Sequence, residues 1–126
     1  AQYLLAVDRN NSRVASIYDE LHPAVLRAVA SVGEVGQRLG KPVSLCGSMA
    51  GEPAIAPLLM AMGLESLSMS SGRILRVKRV IRTIPYSAAQ ALLEAVLACE
   101  TPGEVRRLVN AEMDRYGLGG LIRAGW

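Results

Sequence analysis

Two short β-like runs, "KPVSLCG" (residues 41–47) and "LESLSMS" (residues 64–70), lie on either side of an apolar, helix-length segment. This arrangement constrains the fold more than any other feature of the chain. A hairpin joins its strands through a few turn residues, whereas a helical crossover returns the chain to the same end of the sheet and makes the strands parallel. Each run leads into small residues and then a helical pattern. The order helix, strand, loop, helix, strand, loop, helix predicts an α/β fold, a parallel sheet with helical cover. At 126 residues the chain can bury one core, and 51% hydrophobic against 20% charged residues excludes a disordered segment.

The remaining elements follow from local signals. Residues 1–7 are apolar but open without cap or turn, and they read as the continuation of something upstream; "DRNNSR" then makes a polar break. "HPAVLRAVASVGEVGQRLG" predicts a helix with Pro23 at its first position, Val25, Val29, Val32 and Val35 at helical spacing, and Gly40 as its stop. Residues 41–47 predict a buried strand. Glu52 and Pro53 open a second apolar helix that runs to Met62 and closes at Gly63; Pro57 is tolerated only near a first turn, which allows a later start. "SGRILRVKRVIRT" predicts the next helix. Two more follow, with capping-box spacing at Ser87 to Gln90 and at Thr101 to Glu104, the second with Pro102 at its first position. The glycine-rich end, "YGLGGLIRAGW", is expected to fray or to pack as a tail.

Composition removes several function classes. The net charge of +3 is mild, and an aromatic content of 4% without Phe offers no base-stacking platform, so no nucleic-acid role is expected. Cys46 and Cys99 stand far apart and His22 is the single histidine, too few soft ligands for a structural zinc site. No apolar run reaches the roughly 18 residues of a membrane span, and no signal peptide is visible. A reducing cytoplasm is the default expectation, although the chain starts at Ala1 without an initiator Met.

The thiol at the end of the first β-like run draws attention. In α/β sheets, chemistry gathers at the carboxyl ends of strands, where loops meet helix N-termini whose free N–H groups attract anions. Cys46 is placed at such an end, and Gly47, Ser48, Ala50 and Gly51 leave little side-chain bulk around it. A ligand has room to approach both thiol and backbone. Cysteine is also a small hydrophobe that can simply terminate a strand, so both readings stand. Cys99, at an apolar helix end, reads as packing.

Three stretches in order, "QYLLAVDRNN", "SLCGSMAGEP" and "LLMAMGLESLSMSSGRILRVKRVIR", resemble the last part of enzyme I of the phosphoenolpyruvate (PEP) phosphotransferase system. "DRYGLGGLIRAGW" resembles the nitrogen-related branch of that family more than the sugar branch. The resemblance implies that residues 1–126 are a C-terminal fragment of a PEP-binding domain, the last portion of a (β/α)8 barrel with extra C-terminal helices. It implies transfer of the PEP phosphoryl group to an enzyme histidine and on to an HPr-like phosphocarrier, with release of pyruvate, in a cytoplasmic homodimer. Arg9 would bind the substrate's phosphate, for which a planar guanidinium with five donors is suited. Cys46 would protonate the enolate carbon, a role that requires an acid still carrying its proton at neutral pH, as ordinary thiols with pKa about 8.5 do.

The same resemblance implies what this stretch lacks. The family's Mg²⁺ ligands, including an Asp of an "Asn-Asp" pair, other phosphate-binding arginines and the phospho-accepting histidine would lie before Ala1. No metal ligand is therefore expected here, and the fragment is expected to be inactive alone. His22 does not match that histidine and is expected to cap the helix or face solvent. Where the family usually shows a carboxylate, as in "CGEMAGD", this chain has Ser48, and Glu52 stands for the usual Asp.

Other features invite plainer readings. Arg73, Arg76, Lys78, Arg79 and Arg82 form the solvated face of a helix whose opposite arc holds Ile74, Val77, Val80 and Ile81. Ser68, Ser70, Ser71 and Gly72 are expected to cap that helix, although many barrels bind phosphate at this point. Met60, Met62 and Met69 are expected in the core. Two other readings remain: a dimerisation or interaction module exposing an apolar edge, and a fragment of a pyruvate-phosphate dikinase or PEP synthase.

Overall fold

The computed structural model describes residues 1–123. Its elements are α1 (Gln2–Leu5), α2 (Pro23–Arg38), β1 (Ser44–Cys46), α3 (Ala56–Ala61), β2 (Ser66–Ser68), α4 (Ser71–Thr83), α5 (Tyr86–Leu97), α6 (Pro102–Arg115) and α7 (Gly119–Arg123). Short 3₁₀ turns occupy Ala15–Ile17 and Met49–Gly51. β1 and β2 pair in parallel, Ser44 with Ser66, Leu45 with Leu67 and Cys46 with Ser68. The helix-rich α/β prediction and the parallel direction of its strands therefore hold.

Helices build the core. α3 is apolar all round, with Ala56, Pro57, Leu58 and Leu59 buried, and it lies against α4 and α5. Leu21, Leu26, Ile55, Val77, Val80, Val96, Val105, Val109 and Met113 belong to the same buried cluster. Pro57 falls in the first turn, so the helix starts well after Glu52. The strands contribute less. Only Leu45 and Leu67 lean on the core, while Ser44, Cys46, Ser66 and Ser68 form an exposed face. The expectation of a buried strand at 41–47 is corrected here: a parallel strand is buried when both faces are covered, and this pair has helical cover on one.

The packed stripe of α2 differs from the valine series. Val25 is buried and Val29 packs against the core, but Val32 is 57% exposed, and the contact face continues through Leu26, Ala30, Gly33 and Gly36. Gly33 permits the close approach, because a Cβ there would sit 2.2 Å from the carbonyl oxygen of Met62. Pro23 stands in the first turn as predicted, and His22 caps α2 by accepting the Ala24 N–H on Nδ1 at 3.1 Å.

Toward the C-terminus, Thr101 and Glu104 form the predicted capping box. The box predicted at Ser87 to Gln90 is absent, because Pro85, with φ −60°, initiates α5 two residues earlier and the cap uses no side chain. The glycine-rich end does not fray over its described part: Gly117 (φ +69°) turns the chain, and α7 buries Ile122, preceded by buried Leu118. Residues 124–126 of that tail lie outside the described residues. The basic face of α4 is exposed at Arg76, Lys78, Arg79 and Arg82 as expected, but Ile74 and Ile81 on its other arc are only partly covered. Met62 is buried, and Met60 and Met69 pack at the core's margin.

Candidate functional site

β1 ends at Cys46, whose residue is exposed, and Gly47 then takes φ +100°, a conformation that favours glycine. The turn at Gly47 carries the chain into Met49–Gly51, which is buried at all three positions. The thiol therefore stands at the rim of a loop whose far half is fixed in the core. Ser68 is its cross-strand partner on the same exposed face. Cys99, by contrast, is buried and donates its S–H toward the Ala95 carbonyl at 3.4 Å, the packing role expected of it.

The loops after β1 and β2 enclose a cavity of about 370 Å³ lined by Gly47, Ser48, Gly51, Ser68, Met69, Ser70 and Arg73. Ser70 occupies the N-cap position of α4, but its side chain makes no cap hydrogen bond, which corrects the capping role expected for it. Instead the two loops are tied by charge. Arg73 donates from Nη1 to Glu52 Oε2 at 3.0 Å, with the Glu52 side chain only 12% exposed. Glu52 thus reaches across to the neighbouring helix rather than acting only at the start of its own.

Arg9 lies in an exposed turn after α1. Its N–H donates to Gln2 Oε1 at 2.8 Å, and Asp8 Oδ1 accepts the Asn10 N–H at 2.9 Å, so the turn is held by its own polar side chains. Neither a direct Arg9–Cys46 contact nor a shared partner of their side chains is among the described hydrogen bonds and ion pairs. The thiol loop is tied to the chain before α2 by a group of which the sequence singled out only Ser48. Glu20 Oε1 accepts the Ser48 hydroxyl and also the Tyr18 hydroxyl, the latter at 3.2 Å. Burial, then the charge and hydrogen bond of Glu20, hold the Tyr18 phenol above its ordinary pKa, while the Ser48 hydrogen bond and the Arg9 charge act in the opposite sense. The positive charge of Arg9 therefore bears on the phenol that shares its acceptor with the thiol loop. Asp19 fixes the same segment to α6, accepting from Arg106 Nη2 at 2.9 Å.

A signal for this group existed in "SIYDELHP": a tyrosine among acidic residues, in a chain with four Tyr, one Trp and no Phe, stands out as something other than core. A metal centre finds no support in the same region, since no three His, Cys, Asp or Glu among the described residues come together in a group that could hold an ion.

Comparison with known proteins shows the family of the chain. The family model described as "PEP-utilising enzyme, PEP-binding domain" matches residues 1–86. A Salmonella typhimurium protein named "Phosphoenolpyruvate-dependent phosphotransferase system" is 48% identical over 124 residues, 98% of this chain and 17% of that protein. The "Multiphosphoryl transfer protein 1" of Escherichia coli is 39% identical over 110 residues, 87% of this chain and 13% of that protein. The "Phosphoenolpyruvate-protein phosphotransferase" of Staphylococcus carnosus is 41% identical over 109 residues, 86% of this chain and 19% of that protein. The chain thus spans less than a fifth of the length of these relatives. With its thiol loop, both strands and α4 inside the matched region, the chain belongs to the PEP-utilising enzymes, in their PEP-binding domain.

Proposed function

We propose that this chain is the closing portion of the PEP-binding barrel of an enzyme I-type PEP–protein phosphotransferase, with Arg9 binding the phosphate and Cys46 donating the proton that completes pyruvate. The observation that carries the reading is the place of Cys46: an exposed thiol at the carboxyl end of β1, on the face of the strand pair that helices leave open, in a chain of the PEP-binding family. A barrel supports itself by closing such a face and both strand edges with further strands. The exposed row Ser44, Cys46, Ser66 and Ser68 is of the size and polarity suited to a substrate-facing lining.

The chemistry assigned to this chain is a proton transfer. When the phosphoryl group passes from PEP to a histidine elsewhere in the protein, the P–O bond to the enol oxygen breaks and the enolate of pyruvate remains. Its terminal carbon takes the thiol proton and becomes the methyl group; water restores the proton to sulfur. Arg9 supplies bidentate donors to the phosphate. The phosphoryl group then moves to an HPr-like phosphocarrier in the cytoplasm. Mg²⁺ belongs to this reading of the whole enzyme, but the described residues do not form a site for it, and no step here is routed through it.

A second reading as an interaction module is favoured by one observation. An apolar groove of about 230 Å³ is lined by Leu4, Val29, Val32, Val43 and Leu45. Neighbouring barrel elements or a second copy would cover it. The two readings separate in the complete protein. Cys46→Ala is expected to slow pyruvate formation from PEP by about 10²-fold or more without changing sedimentation, the scale of a lost general acid. Unchanged pyruvate formation would remove Cys46 from the mechanism, and Val32→Asp with altered sedimentation and full activity would mark the groove as association surface alone.

A further inference from the structure

The geometry around Ser48 points to a positioning residue that neither the family match nor the sequence motifs assign. Ser48 stands at the N-cap of Met49–Gly51, yet its side chain makes no cap hydrogen bond. Its hydroxyl donates instead to Glu20, 28 positions earlier in the chain. The same oxygen of Glu20 accepts from Tyr18. A carboxylate with two hydroxyl donors on one oxygen makes charge-assisted bonds, stronger than those between neutral groups. The segment carrying Glu20 is itself held from outside, through Asp19 and Arg106 on α6.

We propose that Glu20 is the latch that sets the thiol loop against the Arg9 segment. The proposal rests on the reading of Cys46 as proton donor. Cys46 precedes Ser48 by two positions, with only Gly47 between them, so the hold on Ser48 fixes where the loop leaves β1. Arg9 precedes Tyr18 on the other side of the latch, and its charge reaches the Tyr18 phenol. Tyr18 keeps its proton, because burial and Glu20 both disfavour the phenolate. It therefore remains a donor throughout the neutral range. Phosphate binding by Arg9 needs only its own turn, whereas proton delivery needs the sulfur in register with a substrate held by that turn. Small misplacements of a reacting group cost rate steeply. Loss of the latch should accordingly act on kcat and leave the KM for PEP nearly unchanged.

The test uses the complete protein with its phosphocarrier and follows pyruvate formation. Glu20→Ala and Ser48→Ala are each expected to lower kcat about tenfold, the scale of one charge-assisted hydrogen bond, with KM for PEP within about twofold. Ser48→Thr, which keeps a hydroxyl, should retain most of the rate. The Glu20→Ala, Ser48→Ala double variant should lose no more than Glu20→Ala alone, since that change already removes the acceptor of Ser48. Should Glu20→Ala unfold, Glu20→Gln keeps the side chain's size and is expected to lose about threefold in kcat. Losses that multiply in the double variant, a change confined to KM, or wild-type kcat in Ser48→Ala would overturn the latch. Cys46→Ala in the same series separates the two proposals: if it alone abolishes turnover while the latch variants do not couple, only the latch falls; if it keeps full turnover, the proton-donor reading falls first.

Discussion

Gly33 offers the sharpest test of how α2 and α3 meet. In Gly33→Ala the new Cβ would lie 2.2 Å from the Met62 carbonyl oxygen and 3.2 Å from its carbon. The first separation is about 1 Å short of an ordinary contact, and the obstacle is backbone at the end of α3 rather than a side chain that can turn away. Overpacking of this kind costs about 1–3 kcal/mol. Alanine also favours the helix by about 0.5–1 kcal/mol over glycine, a gain that offsets only part of the loss. The net expectation is a destabilisation of about 1–2 kcal/mol, which for a chain of this length lowers the melting temperature by roughly 3–10 °C. Gly103 supplies the control, because it lies in the first turn of α6 and a Cβ there meets nothing within 4 Å. Gly103→Ala should be neutral or stabilising by up to about 1 kcal/mol. Thermal and urea unfolding, followed by circular dichroism in one background, compare the two. If Gly33→Ala melts with or above Gly103→Ala, the close approach of α2 to α3 is wrong.

Two further outcomes follow from charges. Glu104 accepts N–H bonds from Glu100 and Thr101, and these hold its carboxyl below the ordinary glutamate range. A depressed folded-state pKa contributes stability that is complete above the ordinary value near 4.3 and is lost as pH falls through the lower folded-state value. Acid titration of unfolding should therefore show a shallower loss below that pH in Glu104→Gln than in the wild type, and identical slopes would refute the link. Arg73→Met leaves the carboxylate of Glu52, only 12% exposed, without this partner, and should cost about 1–2 kcal/mol. Adding Glu52→Gln should recover part of that loss in urea unfolding; a further loss would show that the pair does not bridge the two loops.

Much of the fold was legible because its signals are local. Pro23, Thr101 with Glu104, and the period of α4 act within a few residues, and the structure places helices where they predict them. The parallel direction of β1 and β2 followed from the helix between them. What failed depended on partners distant in the chain. Val32 and Val35 carry helical spacing, but the face that packs is chosen by two glycines that admit Met62 and Val43. Ser70 resembles a cap, yet its side chain makes no cap bond, and Ser87 was displaced from the cap by the fixed φ of Pro85. At the site, Cys46 stood out by its place at a strand end. Tyr18 and Glu20 left only the mark of an aromatic among acidic residues, and nothing in a single polar loop says which serine, 28 positions later, will use that carboxylate.

A pair of three-residue strands with one face open is too small to hold a reactive group in place by itself. The loop after β1 nevertheless has a firm footing, because Met49, Ala50 and Gly51 are buried and the next helix is buried nearly throughout. Order at the thiol therefore flows backward along the chain, from α3 through the 3₁₀ turn to Gly47, with Glu52–Arg73 on one side and Glu20–Ser48 on the other. This reverses the usual picture of a sheet presenting its loops. It also explains why the small residues of "CGSMAG" matter physically. Gly51 would meet the side chains of Met69 and Arg73 at 3.2–3.4 Å if it carried a Cβ, so even one added methyl group is a tight fit where the loop presses against β2's exit. The cavity between the loops is kept open by Ser and Gly on its walls and spanned by ion pair at its edge. A bulky residue at position 51 would push the two loops apart and shift Cys46 relative to the Arg9 segment, without touching either residue.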